Sequence, residues 1–350
     1  MTRGQRRIVI GLVVAAVVVI IVIGVRPGKP KPPVQPPGGG GASSGGGAGI
    51  AGTSTAPVTP PATGPAQTTE LPRLERQVAP AEQARAATLM AQGMALAAAG
   101  KLVEARGALS DALNTAALPT DKADAVRVKL AELADKTLFT SRVVEGDPCT
   151  FSYRLQAGDL LINLERQKFR LHVPEKLLEK INGVPDASKL QAGQSVKLIR
   201  GPFHGVIAKG AFRMDLYLEE PETHRMVFVR RLRVGTGSNG STPAGEWRVA
   251  QGRKMTRAPW TPPASSNLPQ RKILPDEPGY PLGRMGYWIG LEGIGANRHT
   301  VEDGYGIHGT NDPASIGKAS SMGCIRLADD DIEVVYSLLY PVWSRVSVQP

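Results

Sequence analysis

The stretch from Pro27 to about Glu70 constrains this chain most, because it sets where folding can begin. It is built from Pro, Gly, Ala, Ser and Thr, with runs at Gly38 to Gly41 and Gly45 to Gly47. Such a segment has almost nothing to bury and cannot offset the entropy of ordering its backbone, so we expect disorder across residues 27–70. Its glycine runs are not a phosphate loop, since no Lys-Ser/Thr pair follows them and no strand precedes them. As a flexible coil it would reach about 35–40 Å. Whatever packs must therefore come after it, and whatever precedes it is tethered at a distance.

What precedes it is Ile8 to Val25, an uncharged apolar run. As a helix this run would be about 27 Å long, enough to cross the hydrocarbon core of a bilayer. No small-x-small cleavage site follows, so residues 1–26 read as a stub and a transmembrane signal anchor, with a cleaved signal peptide as the alternative. The formal net charge is +11. Arg3, Arg6, Arg7, Arg26, Lys29 and Lys31 all fall before the first acidic residue, Glu70. The remainder is only mildly basic, so the charge calls for no nucleic-acid partner. There are two cysteines, Cys149 and Cys324. They form neither a disulfide framework nor a CxxC metal pattern. Cys149 reads as a small buried hydrophobe.

Residues 78–140 turn to Ala, Leu, Glu, Lys and Arg, the composition of helices. Pro80 suits a first helical position, Gly100 a break between two helices, and Thr120 a cap for a third. Gly93, Leu96, Gly100, Ala105, Leu109 and Ala112 fall where one tetratricopeptide-like repeat would want small and apolar residues. A single copy of such a repeat is weak, and a plain helical hairpin explains the spacing equally. Residues 150–200 read as strand, helix, helix, strand, with Pro174 opening the second helix and Asn182-Gly183 closing it. Beyond Gly201 the pattern is mainly β. Phe212 to Leu218 alternates, Met226 to Val234 continues in kind, and Asn239-Gly240 predicts a hairpin turn. Prolines between Pro259 and Pro281 predict a long loop over any site in this region. Ile332, Val335, Tyr336 and Leu339 line one face of a helix begun by Asp329 to Asp331.

Chemistry concentrates near the end, in Gly304-Tyr305-Gly306-Ile307-His308-Gly309-Thr310 and Ser320-Ser321-Met322-Gly323-Cys324-Ile325-Arg326-Leu327. A cysteine attacks as thiolate, and a nearby imidazole is the commonest means of taking its proton. Glycines beside it let backbone N–H groups face a developing oxyanion. A zinc reading lacks the further ligands at ligand spacing.

These residues resemble the signature of L,D-transpeptidases with a YkuD-type catalytic domain, cysteine enzymes that cross-link bacterial peptidoglycan. The likeness extends through Val234-Gly235-Thr236-Gly237, Ser241-Thr242-Pro243-Ala244-Gly245, Pro281-Leu282-Gly283 and Trp288-Ile289-Gly290-Leu291, covering residues 201–350. One departure is Met322, where many members carry a second histidine. The resemblance implies a thioester on Cys324, His308 as base, and the Gly309 carbonyl holding the imidazole. It further implies the N–H groups of Met322, Gly323 and Cys324 around the oxyanion, release of D-alanine, a 3→3 cross-link, and no cofactor or metal. Ser321 belongs to the cysteine motif. Arg326 would bind a substrate carboxylate or form an internal salt bridge; Tyr305 and Trp288 would wall the cleft or pack in the core. Residues 150–200, with Gly158-Asp159, Ile181-Asn182-Gly183 and Leu190-x-Ala192-Gly193-Gln194, resemble a LysM module, which implies binding to peptidoglycan glycan strands. A small spacer module is the alternative.

The expectation is a multidomain chain: a transmembrane helix, a linker, a small all-α region, an α+β LysM-like module and a mainly β catalytic domain. Its function would be acyl transfer on peptidoglycan stem peptides outside the cytoplasmic face of the inner membrane. The alternatives are an L,D-carboxypeptidase with water as acceptor, and a catalytically silent peptidoglycan-binding scaffold.

Overall fold

The computed structural model describes residues 70–73, 78–262 and 268–350. The apolar run at Ile8 to Val25 and the Pro/Gly-rich stretch through residue 69 lie outside the described residues. Among the described residues no helix is long and apolar enough to cross a membrane.

Three helices come first: α1 (Pro80–Ala98), α2 (Leu102–Asn114) and α3 (Thr120–Thr137). Pro80 sits at the first helical position of α1, where its missing N–H costs nothing. Gly100, at φ 77°, takes the left-handed conformation that turns the chain into α2. The two helices approach closely because Gly93 has no side chain; a Cβ there would lie 2.6 Å from Leu109 Cγ. Thr120 is not the cap expected of it. Pro119 occupies the N-cap position, and Thr120 is already helical.

The strand–helix–helix–strand order of residues 150–200 is as anticipated. Strand β1 (Thr150–Arg154) pairs antiparallel with β2 (Ser195–Ile199). Between them lie α4 (Leu161–Asn163), continued by a wider π-turn through Lys168, and α5 (Glu175–Asn182). Gly183, at φ 62°, ends α5 while the Val184 N–H reaches back 2.9 Å to the Glu179 carbonyl. This unit is not a bead on a string. Leu155, Leu164, Leu178 and Leu198 share one core with Phe203, Ile207, Trp247 and Leu291 of the following sheet. His172 stacks on Trp343 with ring centroids 3.6 Å apart.

The rest is an eight-stranded mixed sheet of β3 (Phe203–Ala208), β4 (Arg213–Glu219), β5 (Met226–Arg233), β7 (Gly245–Met255), β8 (Trp288–Gly293), β9 (Gly306–Gly309), β11 (Ile325–Leu327) and β12 (Arg345–Gln349). Their spatial order is β11-β9-β8-β7-β12-β3-β4-β5. Short strands β6 (Thr236–Gly237) and β10 (Ala319–Ser321) pair separately, in parallel. The period-2 pattern explains how β3 to β5 are buried on both faces. Ile207, Met214, Leu216, Val227 and Val229 face the main core, while Val206, Tyr217, Met226 and Phe228 pack against Leu109, Val126 and Leu130 of the helices. The helical region is thus the second cover of the sheet. Fully buried Asp215 locks it there, accepting two bonds from Arg231 at 2.7 and 3.0 Å and pairing with Arg127 of α3 at 3.2 Å.

One expectation fails at a turn. Asn239 and Gly240 do take positive φ, 50° and 73°, but they make no hairpin. The strand before them, β6, pairs with β10, and the strand after them, β7, joins the large sheet. Helix α6 (Asp329–Leu338) begins at the acidic cluster, as expected, with Ala328 at the N-cap position. Asp329 to Asp331 lie inside its first turn, where they oppose the positive end of the helix dipole.

Candidate active site

His308 and the approach to Cys324 sit where β9 and β11 run side by side at the sheet edge. The parallel register sets Ile325 against Ile307 and Arg326 against His308. It carries Cys324 to the level of Gly306, two residues short of His308. His308 is buried, and its Nδ1 donates to the Gly309 carbonyl at 2.6 Å. That bond assigns the proton to Nδ1 and leaves Nε2 as the acceptor. Trp288 is the cross-strand partner of His308 and stacks on it, with centroids 5.7 Å apart and planes 16° from parallel. Trp288 therefore covers one face of the imidazole.

Burial works against a resting thiolate and imidazolium at this pair. Cys324 is half-buried and makes no hydrogen bond to His308; its thiol faces the Gly304 carbonyl at 3.5 Å. Desolvation pushes this thiol up to about 11, against the opposing pull of the Gly306 N–H and the Arg326 charge. Desolvation also pushes His308 down to about 4, and Arg326 adds to that effect. An imidazolium needs a nearby anion, and the partner of Nδ1 is a neutral carbonyl. Desolvation thus favours the neutral form of each group, a thiol beside an imidazole that can take its proton during attack.

The loop before Cys324 is pinned on every side. The Ser238 hydroxyl donates to the Ser321 carbonyl at 3.2 Å, and the Thr242 hydroxyl donates to the Gly323 carbonyl at 2.8 Å. Thr242 also accepts from the Gly237 N–H at 2.8 Å. The Ser321 hydroxyl donates to the Cys324 carbonyl at 2.6 Å and accepts from the Gly323 N–H at 3.1 Å. Of the three amides expected around an oxyanion, that of Gly323 is therefore already engaged. Those of Met322 and Cys324 have no partner among the described residues. Gly323 has φ 137°, and a Cβ there would lie 2.8 Å from the Tyr305 ring. Tyr305 thus packs under the loop and against Trp247, at 5.3 Å between centroids.

Arg326 forms no ion pair among the described residues, so the internal salt bridge is not made and the guanidinium stays beside the reacting pair. Met322 keeps its side chain exposed. The proline-dense loop folds on itself around Ala258, Tyr280 and Leu282, and packs against Trp288. Ser238 and Thr242 escaped the reading of function from sequence. The signal for Thr242 was the Ser241-Thr242-Pro243 string, which has no chemistry until the fold brings it under the cysteine loop; Ser238 lies outside that string.

Residues 216–348 match the profile of the YkuD family, the L,D-transpeptidase catalytic domain. The chain is 30% identical over 204 residues to the Bacillus subtilis (strain 168) protein that carries the name L,D-transpeptidase YkuD; that alignment takes in 56% of this chain and 98% of the relative. With the protein of the same name from Bacillus licheniformis it shares 45% identity over 73 residues, 21% of this chain and only 37% of that one. Among solved structures, L,D-transpeptidase 3 from Mycobacterium tuberculosis in complex with a faropenem-derived adduct aligns at 18% identity and a TM-score of 0.31, covering 46% of this chain and 66% of that one.

Proposed function

Because the chain belongs to the YkuD-type L,D-transpeptidase family, we propose that it forms 3→3 peptidoglycan cross-links through an acyl group carried on Cys324. The observation that supports this best is the meeting of four things in one place: a thiol, a base with its lone pair on Nε2, and, among the described residues, two unengaged amides and an unpaired guanidinium. A donor tetrapeptide enters with the carbonyl of its diamino acid beside the sulfur. As the S–C bond forms, the thiol proton passes to His308 Nε2, and the carbonyl oxygen becomes an oxyanion held by backbone N–H groups. Collapse breaks the C–N bond. D-alanine leaves with the proton from His308, and a thioester remains. The side-chain amine of a second stem then attacks, gives its proton to His308, and the thiol departs reprotonated. Arg326 is suited to a substrate carboxylate, where a planar guanidinium binds two oxygens at once.

In the same proposal, Ile8 to Val25 anchors the chain in the inner membrane with residues 78–350 on the wall side. Residues 150–200 act as a LysM-like module that holds glycan strands. The turns at Gln156 to Gly158 and Gln191 to Gln194 are exposed, which leaves them open to such a ligand.

The test is incubation of the full chain with a disaccharide tetrapeptide, followed by mass analysis, with Cys324→Ala as control. A thioester and a dimer that has lost one D-alanine are expected. Tripeptide without dimer would make the enzyme an L,D-carboxypeptidase. No adduct and no product from a folded chain would leave a scaffold.

A further inference from the structure

Successive peptide planes around Cys324 are each aimed by a hydroxyl, and a trans peptide links the two ends of every plane. Its C=O and N–H point in opposite directions, so a clamp on the carbonyl sets where the following N–H faces. The Gly323 carbonyl is held by Thr242, which turns the Cys324 N–H the other way. The Ser321 carbonyl is held by Ser238, which does the same for the Met322 N–H. Between them the Gly323 N–H is taken up by the Ser321 hydroxyl. Among the described residues, the two N–H groups left without a partner are those that directly follow a clamped carbonyl.

From this we infer that Thr242 and Ser238 are positioning residues for the oxyanion site, and that its donors are the N–H groups of Cys324 and Met322 but not that of Gly323. The inference rests on the acyl-transfer reading above, and it names residues that touch neither substrate nor sulfur. Thr242 is the stronger clamp. It is buried, its bond to Gly323 is 2.8 Å, and its own orientation is set by the Gly237 N–H. Gly237 approaches so closely that a Cβ there would lie 2.9 Å from Gly323 Cα. The clamp and the loop are thus in contact with no room for the planes to rotate. The same arrangement explains why Met322 can replace a histidine without loss of the site, since only its backbone is used.

The experiment separates oxyanion formation from sulfur reactivity. In the full chain, Thr242→Val removes the hydroxyl at nearly constant shape, and Thr242→Ser keeps it. Each variant is acylated with a carbapenem, where attack opens the lactam C–N bond through an oxyanion, and alkylated with iodoacetamide, where displacement of iodide forms none. We expect Thr242→Val to lose about 10²-fold in acylation rate, the scale of one misdirected donor. Alkylation should change less than about 3-fold, the thermal midpoint should show the chain folded, and Thr242→Ser should recover most of the acylation rate. Ser238→Ala should show the same selectivity with a smaller loss, through its longer bond. Acylation of Thr242→Val at the wild-type rate overturns the inference. So does a parallel fall in alkylation, which would mean that the sulfur itself had moved. Wild-type chain that takes the carbapenem in this Thr242-dependent way yet ignores the tetrapeptide would sink the cross-linking reading and leave the inference standing. A folded wild-type chain that accepts neither acyl group overturns both.

Discussion

At the scale of single residues, two neutral partners replace the ion pair that a cysteine next to a histidine suggests. Burial raises Cys324 to about 11 and lowers His308 to about 4. The thiol must therefore lose its proton during attack. Alkylation of Cys324 by iodoacetamide should accelerate about tenfold per pH unit above neutrality and level off only near the thiol's raised value, well beyond the usual thiol range. A plateau at or below pH 9 would contradict the neutral pair. His308 also links stability to acid. The unfolded chain takes up a proton near pH 6.5 while the native imidazole resists until about 4. Native stability should thus fall between those values as the pH drops, by on the order of 3 kcal/mol from this group. Denaturant titrations across that window should show a shallower slope in His308→Gln than in wild type, the remainder coming from His172 and His204, which burial also holds down. At Gly323 the backbone conformation and the Tyr305 ring both exclude a side chain. Gly323→Ala should remain folded, lose about 1–3 kcal/mol, and fall by about 10²-fold or more in Cys324 acylation as the loop shifts off its clamps.

At the scale of elements, strand register does what sequence spacing cannot. His308 and Cys324 are separated along the chain by most of a loop, a turn and β10, yet parallel pairing of β9 with β11 sets them two residues apart. Trp288 joins them from the other neighbouring strand. The Asn239-Gly240 turn reads locally as a hairpin because its dihedral demands are those of one. The large sheet takes the following strand, and the turn is used to bring Thr242 under Gly323. The α1–α2 pair depends on Gly93 in the same local way. Gly93→Val should lower the thermal midpoint, at a cost of about 1–3 kcal/mol through overpacking against Leu109. Acylation of the folded protein should be unchanged, because the active site lies outside that contact.

At the scale of the whole molecule, the helices, the βααβ unit and the sheet are halves of shared cores, although they read along the chain as separate domains. Val206, Tyr217, Met226 and Phe228 are covered by α2 and α3, and Phe203 and Ile207 share a core with Leu155, Leu178 and Leu198. Residues 78–350 should therefore unfold in one cooperative transition by calorimetry. A fragment starting at 201 would expose these side chains and leave Asp215 without Arg127. It should be insoluble or molten, binding a hydrophobic dye with no sharp melting. A soluble fragment with a sharp transition would show that the interfaces are dispensable.

Much is legible in the sequence: the His308 and Cys324 motif, the helices after Pro80, the order of elements in 150–200 and the β character beyond Gly201. These are matters of residue type, period and local dihedral preference, which neighbours along the chain determine, whereas the Gly309 carbonyl's hold on His308 is what the family resemblance implies. Long-range contact decided the rest. Burial, which depends on everything packed around a group, set the protonation of Cys324 and His308. Distant hydroxyls chose which amides remain free, and the second face of the sheet went to helices that sequence alone left without a partner.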